Sequence, residues 1–283
     1  MAAGHDPRPV TPVLYHSEMS VCAAKVRMLF ADKNIPWESK LLDLRAGDAQ
    51  SETYVRLNPN QVVPTLVCGS DVVVESNIIL EYVEDRWPEP AARPTQPLQK
   101  ARMRLWMRQL DDSIHAAAAV ISVCIALRHQ FLKRRPDEVQ LWLDKMVDPA
   151  RRARSKAAIE RGMDAEQFAE AVLRVRRLYD DFERALADST WLAGDSYSLA
   201  DIAYSPYVLR FDQLGFGDLV VERPHVSDWQ KRLFARSGFK AGVVDWLNAG
   251  AVALFEREAP EARRRVAEIL NQNAPKHGAG TTQ

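Results

Sequence analysis

Cysteine is scarce in this chain: three residues in 283, at Cys22, Cys68 and Cys124. None lies in a C-x-x-C pair or at metal-ligand spacing, which argues against a disulfide framework or a zinc site. No sign of charge dominates. Lysine plus arginine and aspartate plus glutamate each number 38, so no net field draws the chain to nucleic acid or to a membrane surface. No uninterrupted apolar run approaches the roughly 18 residues of a bilayer span. The opening residues MAAGHDPRPV lack the apolar stretch of a secretory leader. These absences set the expectation of a cytoplasmic chain with reduced thiols, no metal, no nucleic-acid partner and no membrane anchor.

What the chain does have is two unlike halves. Residues 11–87 read strand, helix, strand, loop or helix, strand, strand, helix. Cys22, Val26, Leu29 and Phe30 fall on one face of the first helix. Gly69-Ser70-Asp71 splits two apolar runs and signals a hairpin. Residues 88–97, PEPAARPTQP, hold four prolines and read as a linker. From 98 to 271 the patterns are helical. Phe168, Val172, Val175, Tyr179, Phe182 and Leu186 alternate steps of four and three, a buried helix seam. Residues 133–162 are charged and read as irregular. A disordered tail is expected from about 272. His115 and His129 have no metal-ligand partner one turn away. The basic run Arg151, Arg152, Arg154, Lys156 reads as a solvated helix face.

One detail of the first half is anomalous. QVVPTL, residues 61–66, looks like a buried strand with Pro64 inside it, where a ladder N–H is lost. A hairpin follows, and then Glu75-Ser76, with Ser76 placed as the N-cap of a helix that could hold a carboxylate. Together these features resemble the glutathione transferase family. The resemblance spans roughly residues 11–250, including LYHSEMSVCAAKVRMLFADK and the S-x-x-D cap of GDSYSLADI. The stretch from PDEVQLWLDKMVDPARRAR to GMDAEQF is similar to an insertion in the bacterial lignin β-aryl-etherase branch.

The resemblance implies a thioredoxin-like α/β domain followed by an all-α helical bundle domain. It implies glutathione as cosubstrate, a hydrophobic electrophile as acceptor, and a homodimer. It implies a cis Val63–Pro64 bond, with Val63 free to pair with the cysteinyl part of glutathione. Ser76 would take the γ-glutamyl carboxylate and Glu75 would lie near its ammonium. The chain departs from the common N-P-x-G-Q-V-P pattern at Gln61 and Val62, leaving Gln50 and Gln61 as candidates for the glycyl end. Trp106, Gln109, Leu110, Tyr204 and Tyr207 are candidates for the acceptor pocket, and each reads equally as core.

Glutathione must react as thiolate, and a free thiol is mostly protonated at neutral pH. Ser20, at the N-cap of the first helix, is the first candidate to hold that anion, with Ser17 in reserve. Cys22 sits on the apolar stripe and reads as packed inward. It would serve the rival reading, a thiol–disulfide enzyme. A non-catalytic binding module is the other rival, disfavoured by the presence of Pro64, Glu75 and Ser76.

Overall fold

The computed structural model describes residues 10–273. The first half is a four-stranded sheet in the order β2-β1-β3-β4. β1 (Val13–His16) runs parallel to β2 (Glu38–Leu41), with Val13 opposite Glu38, so a helical crossover must join them. That crossover is α1 (Val21–Asp32). After β2 a single tight turn (Asp48–Gln50) and α2 (Glu52–Val55) lead to β3 (Thr65–Cys68) and β4 (Asp71–Val74). β3 is antiparallel to both β1 and β4. Gly69 at the hairpin has φ +64°, a conformation that suits glycine. α3 (Ser76–Arg86) closes the half.

Ser20 caps α1, its hydroxyl oxygen accepting from the Ala23 N–H at 3.2 Å. A one-sided stripe was expected for this helix, yet every residue from Ala23 to Phe30 is buried, Lys25 and Arg27 included. The sheet covers one side of α1 and the helical half covers the other.

The proline-rich stretch is irregular and pinned by a buried ion pair. Lys33 Nζ lies 2.8 Å from Glu84 and donates to the Pro90 carbonyl at 2.7 Å, while Glu84 accepts from the Ala92 N–H at 3.0 Å. α4 (Pro97–Phe131) follows as one 35-residue helix. It is widened by a π-turn at Leu110–Ile114 and another at Val123–Leu127. By length and mean hydropathy alone this helix could cross a membrane, though it carries no uninterrupted apolar run of that length. Here it is a central element of the helical half, packed on α7 (Glu166–Ala187).

The stretch 133–162 corrects another expectation. It holds two helices, α5 (Pro136–Asp144) and α6 (Pro149–Arg161). Both prolines occupy the first helical turn, where a missing N–H costs nothing, so they start helices rather than break them. Leu143, Met146 and Ile159 form a small separate core with Phe131. Arg151, Arg152 and Arg154 are half-buried there, and Arg152 donates to the Met146 carbonyl at 2.6 Å, so the basic run is only partly a solvated face.

The seam read on α7 is buried throughout. α8 (Leu199–Phe211) opens with a capping box between Ser198 and Asp201. Buried Asp201 also accepts from the Leu192 N–H at 3.0 Å and from Trp229 Nε1 at 2.9 Å, tying three segments together. α9 (Asp218–Val221), α10 (Pro224–Phe234), α11 (Ser237–Gly242) and α12 (Ala249–Gln272) complete the helical half. The expected disordered tail falls, from residue 274 on, outside the described residues, as does most of the N-terminal stretch read for a leader.

Candidate active site

The turn Ser17–Ser20 carries the chain from β1 into α1 at the junction with the helical half. Cys22 is the second residue of α1, and its thiol turns toward the helical half rather than the sheet. It is half-buried, with Sγ 3.5 Å from His115 Nδ1 on α4 and 3.3 Å from Tyr207 Oη on α8. His115 Nδ1 and Tyr207 Oη are 3.0 Å apart, so the three groups close a triangle. Lys25, one turn along α1, is fully buried. Its ammonium donates to Asn77 Oδ1 at 2.7 Å and lies 5.9 Å from the centre of the Tyr207 ring.

The electrostatics of this cluster favour an anion on sulfur. Burial alone pushes the Cys22 thiol up. The charge and hydrogen bond of His115, the nearby Lys25 ammonium and the Tyr207 hydroxyl outweigh it and bring the thiol down to about 6. The thiolate in turn raises His115, against the effect of burial. Burial lowers Lys25 and, with the Cys22 charge, raises Tyr207 well above its ordinary value. Tyr207 therefore keeps its proton and can donate it to Sγ, as can the His115 Nδ1–H. At neutral pH the surroundings of Cys22 therefore favour the thiolate. His115 was missed from sequence, where it carried no local signal: its partner lies 93 residues away in the chain.

The serines are placed otherwise. Ser20 Oγ is engaged by its own helix cap. Ser17 contributes its carbonyl, which accepts from the Ser20 N–H at 3.2 Å and from Arg27 at 3.3 Å.

Beside the thiol lies a second constellation. The Val63–Pro64 peptide bond is cis. The ladder of β3 starts at Thr65, and among the described residues no backbone partner meets Val63. The preceding carbonyl, of Val62, is held by Tyr54 Oη at 2.5 Å and Asn58 Nδ2 at 2.9 Å. Ser76 is the first residue of α3 rather than its cap. Glu75 stands at the cap position with φ +66°, its carboxylate accepting from Asn60 Nδ2 at 3.3 Å. The N-terminus of α3 therefore lies next to a left-handed acidic residue, and the capping side chain expected of Ser76 is not used. Gln61 has φ +56°, and Gln50 ends the short turn after Gly47.

Of the acceptor candidates only Tyr207 meets Cys22. Leu110 and Tyr204 are fully buried. Tyr204 Oη donates to the Trp106 carbonyl and to Gln109 Oε1, and Trp106 packs on Phe182 at 5.4 Å. Trp106, Gln109, Leu110 and Tyr204 thus belong to the helical core. Among the described residues no acidic, histidine and cysteine group could hold a metal ion, and His129 pairs with Glu258 at 3.3 Å.

A thioredoxin-like sheet is thus fused to a helical bundle, and the Cys22 thiol lies at their junction. The glutathione S-transferase N-terminal domain model matches residues 19–86, and the C-terminal domain model of the same family matches residues 144–237. The chain belongs to the glutathione S-transferase family. It is 28% identical over 240 residues to the tetrachloro-p-hydroquinone reductive dehalogenase of Sphingobium chlorophenolicum, covering 82% of this chain and 95% of that one. It is 27% identical to the protein LigF of Sphingobium sp. strain SYK-6 over 74% of this chain and 84% of the other. The crystal structure of that β-etherase superposes with a TM-score of 0.75 at 25% identity, over 83% of this chain and 99% of the other.

Proposed function

We propose that this protein is a glutathione-dependent enzyme in which Cys22, not Ser20, carries the thiol chemistry. The observation that carries this reading is the Cys22–His115–Tyr207 triangle, which holds a protein thiolate among proton donors. Glutathione lies along the unpaired backbone of Val63 beside Pro64. Its γ-glutamyl carboxylate sits at the N-terminus of α3 near Ser76, its ammonium sits near Glu75, and its glycyl end reaches toward Gln50 and Gln61. A glutathione thiolate displaces halide or aryloxide from a carbon of the aromatic acceptor, giving the conjugate R–SG. The Cys22 thiolate then attacks the sulfur of that conjugate or of a mixed disulfide R–S–SG. An S–S bond to glutathione forms and the bond to the leaving group breaks. The leaving anion takes a proton from the His115 imidazolium, and the second glutathione returns it as its thiol ionises. A second glutathione thiolate then attacks the mixed disulfide, releasing oxidised glutathione and restoring the Cys22 thiolate.

The likeness to a dehalogenase named for a chlorinated hydroquinone supports a hydrophobic aromatic acceptor with a leaving group. The β-etherase likeness leaves an aryloxy group as the other choice. The cytoplasm, where glutathione is reduced, suits this cycle, and we assign the working form as a homodimer.

Mass spectrometry after mixing with oxidised glutathione tests the reading. A glutathionyl adduct on Cys22 and loss of turnover in Cys22→Ser are expected, with Ser20→Ala retaining most activity. A silent Cys22→Ser and an inactive Ser20→Ala would return the chain to hydroxyl-assisted transfer, in which Ser20 holds the glutathione thiolate.

A further inference from the structure

Three successive carbonyls ahead of Cys22 are held by two guanidiniums that reach the turn from different halves of the molecule. Arg27, on α1, donates from Nη1 to the Ser17 carbonyl at 3.3 Å and from Nη2 to the Glu18 carbonyl at 3.0 Å. Arg210, on α8, donates from Nη2 to the Met19 carbonyl at 3.0 Å. Both side chains are buried, 2% and 7% exposed. Neither has a carboxylate within ion-pair distance among the described residues. Buried cations left without an acid are costly, so their retention on three main-chain oxygens calls for a reason.

Each arginine is itself fixed. Arg27 Nε donates to the Gly242 carbonyl at 3.0 Å and its guanidinium lies 4.9 Å from the Trp246 ring. The guanidinium of Arg210 lies 4.8 Å from the Phe255 ring, and its Nη1 approaches Ser122 Oγ at 3.5 Å. Arg210 also stands three residues after Tyr207 on α8, so the two are neighbours on one helix surface. One helix therefore sets both the hydroxyl that meets Sγ and the cation that holds the turn before it.

Building on the reading of Cys22 as the reactive thiol, we infer that Arg27 and Arg210 are positioning residues: they draw the carbonyls of Ser17, Glu18 and Met19 toward the buried interface and so set the turn that brings Cys22 Sγ to His115 and Tyr207. The contacts of Sγ are 3.5 and 3.3 Å, with little slack, and a displacement of about 1 Å at a reacting group can cost on the order of 100-fold in rate. Several charged or titratable groups bear on the thiol or on its neighbours. Lys25 on α1, His115 and Asp111 on α4, and Tyr207 on α8 lie closest, with Glu75 acting through Lys25 and Glu18 through Arg27.

The test is the rate of Cys22 alkylation by iodoacetamide as a function of pH, read by mass spectrometry on the full chain. In Arg210→Met, with circular dichroism unchanged, the midpoint should rise by about one pH unit, a tenfold loss of thiolate on the acid side. Arg210→Lys, which can still donate to the Met19 carbonyl, should return it toward wild type. A folded Arg210→Met with the wild-type midpoint overturns the inference. Should that variant fail to fold, Arg27→Lys decides: an ammonium has three donors on one nitrogen and cannot meet the four acceptors that Arg27 reaches from three nitrogens, the carbonyls of Ser17, Glu18 and Gly242 and His16 Nδ1. Its midpoint must therefore rise, and an unchanged midpoint overturns the inference equally. A wild-type midpoint at the value of an ordinary thiol overturns the reading of Cys22 itself, and the inference with it.

Discussion

Cys22 shows how a residue can follow its sequence pattern and still do something else. It lies four residues before Val26 and so on the same stripe, but it stands in the first turn of α1. There the stripe meets α4 and α8 rather than the sheet, so the thiol faces His115 and Tyr207. Periodicity gives a direction around a helix axis and says nothing of which neighbour covers each turn. Ser20 was legible as a cap because capping is local. His16 supplies a prediction at this scale. Arg27 can only donate, so its contact with His16 Nδ1 at 3.1 Å places the imidazole proton on Nε2, which donates to Ser39 at 2.7 Å. Burial, with the Arg27 charge added, lowers His16 from 6.5 to about 4. A lowered histidine is neutral when folded, so its contribution to stability is fully present above pH 6.5 and is lost as pH falls through 6.5 toward 4. The loss is up to about 3 kcal/mol. Urea unfolding across that window should show this slope, and His16→Gln should flatten it. An equal slope in both proteins would assign the acid sensitivity elsewhere.

At the scale of elements, signals with local causes were readable and signals made by contact were not. The hairpin glycine, the capping box at Ser198 and the seam of α7 each rest on neighbours a few residues away. The helices of 133–162 were missed because their apolar residues are few and face a private core, and because Pro136 and Pro149 look like breakers until the first turn is located. The packing of α11 on α1 had no pattern at all. Gly242 is where the two approach most closely: a Cβ there would stand 2.3 Å from the Met28 backbone nitrogen. Backbone cannot swing aside as a side-chain tip can, so α11 must move off α1. Gly242→Ala should lower stability by about 1–3 kcal/mol, read as a fall in Tm. It should also slow Cys22 alkylation, because Arg27 hangs on the Gly242 carbonyl. A variant as stable as wild type would show that the two helices yield more easily than their spacing implies.

At the scale of the whole molecule, the unpaired feature is an apolar surface on the side where α3 and α4 run together. Asn77 Nδ2 donates to the Met107 carbonyl at 2.9 Å and Glu81 pairs with Arg104 at 2.9 Å. The contacts 77 with 107 and 81 with 104 make the two helices antiparallel. Ile78 is 59% exposed and Leu105 64%, and Leu98, two helical turns before Leu105 on the same face, is 63% exposed. Three large aliphatic side chains this exposed on adjoining helices are more than the scattered surface leucine that needs no explanation. The proposed homodimer would cover them with the same surface of a second copy, in the self-complementary manner of a two-fold interface. Sedimentation at micromolar concentration should then give twice the 32.0 kDa chain mass. Leu105→Arg places a charge at the centre of the covered face and should return the mass to that of one chain. Because Asn77 holds both Lys25 and the Met107 carbonyl, the site and this face share a residue, so a monomeric Leu105→Arg should also lose part of its turnover. A wild-type chain that sediments as a monomer removes the dimer, and leaves the Cys22 triangle, which lies wholly within one chain, untouched.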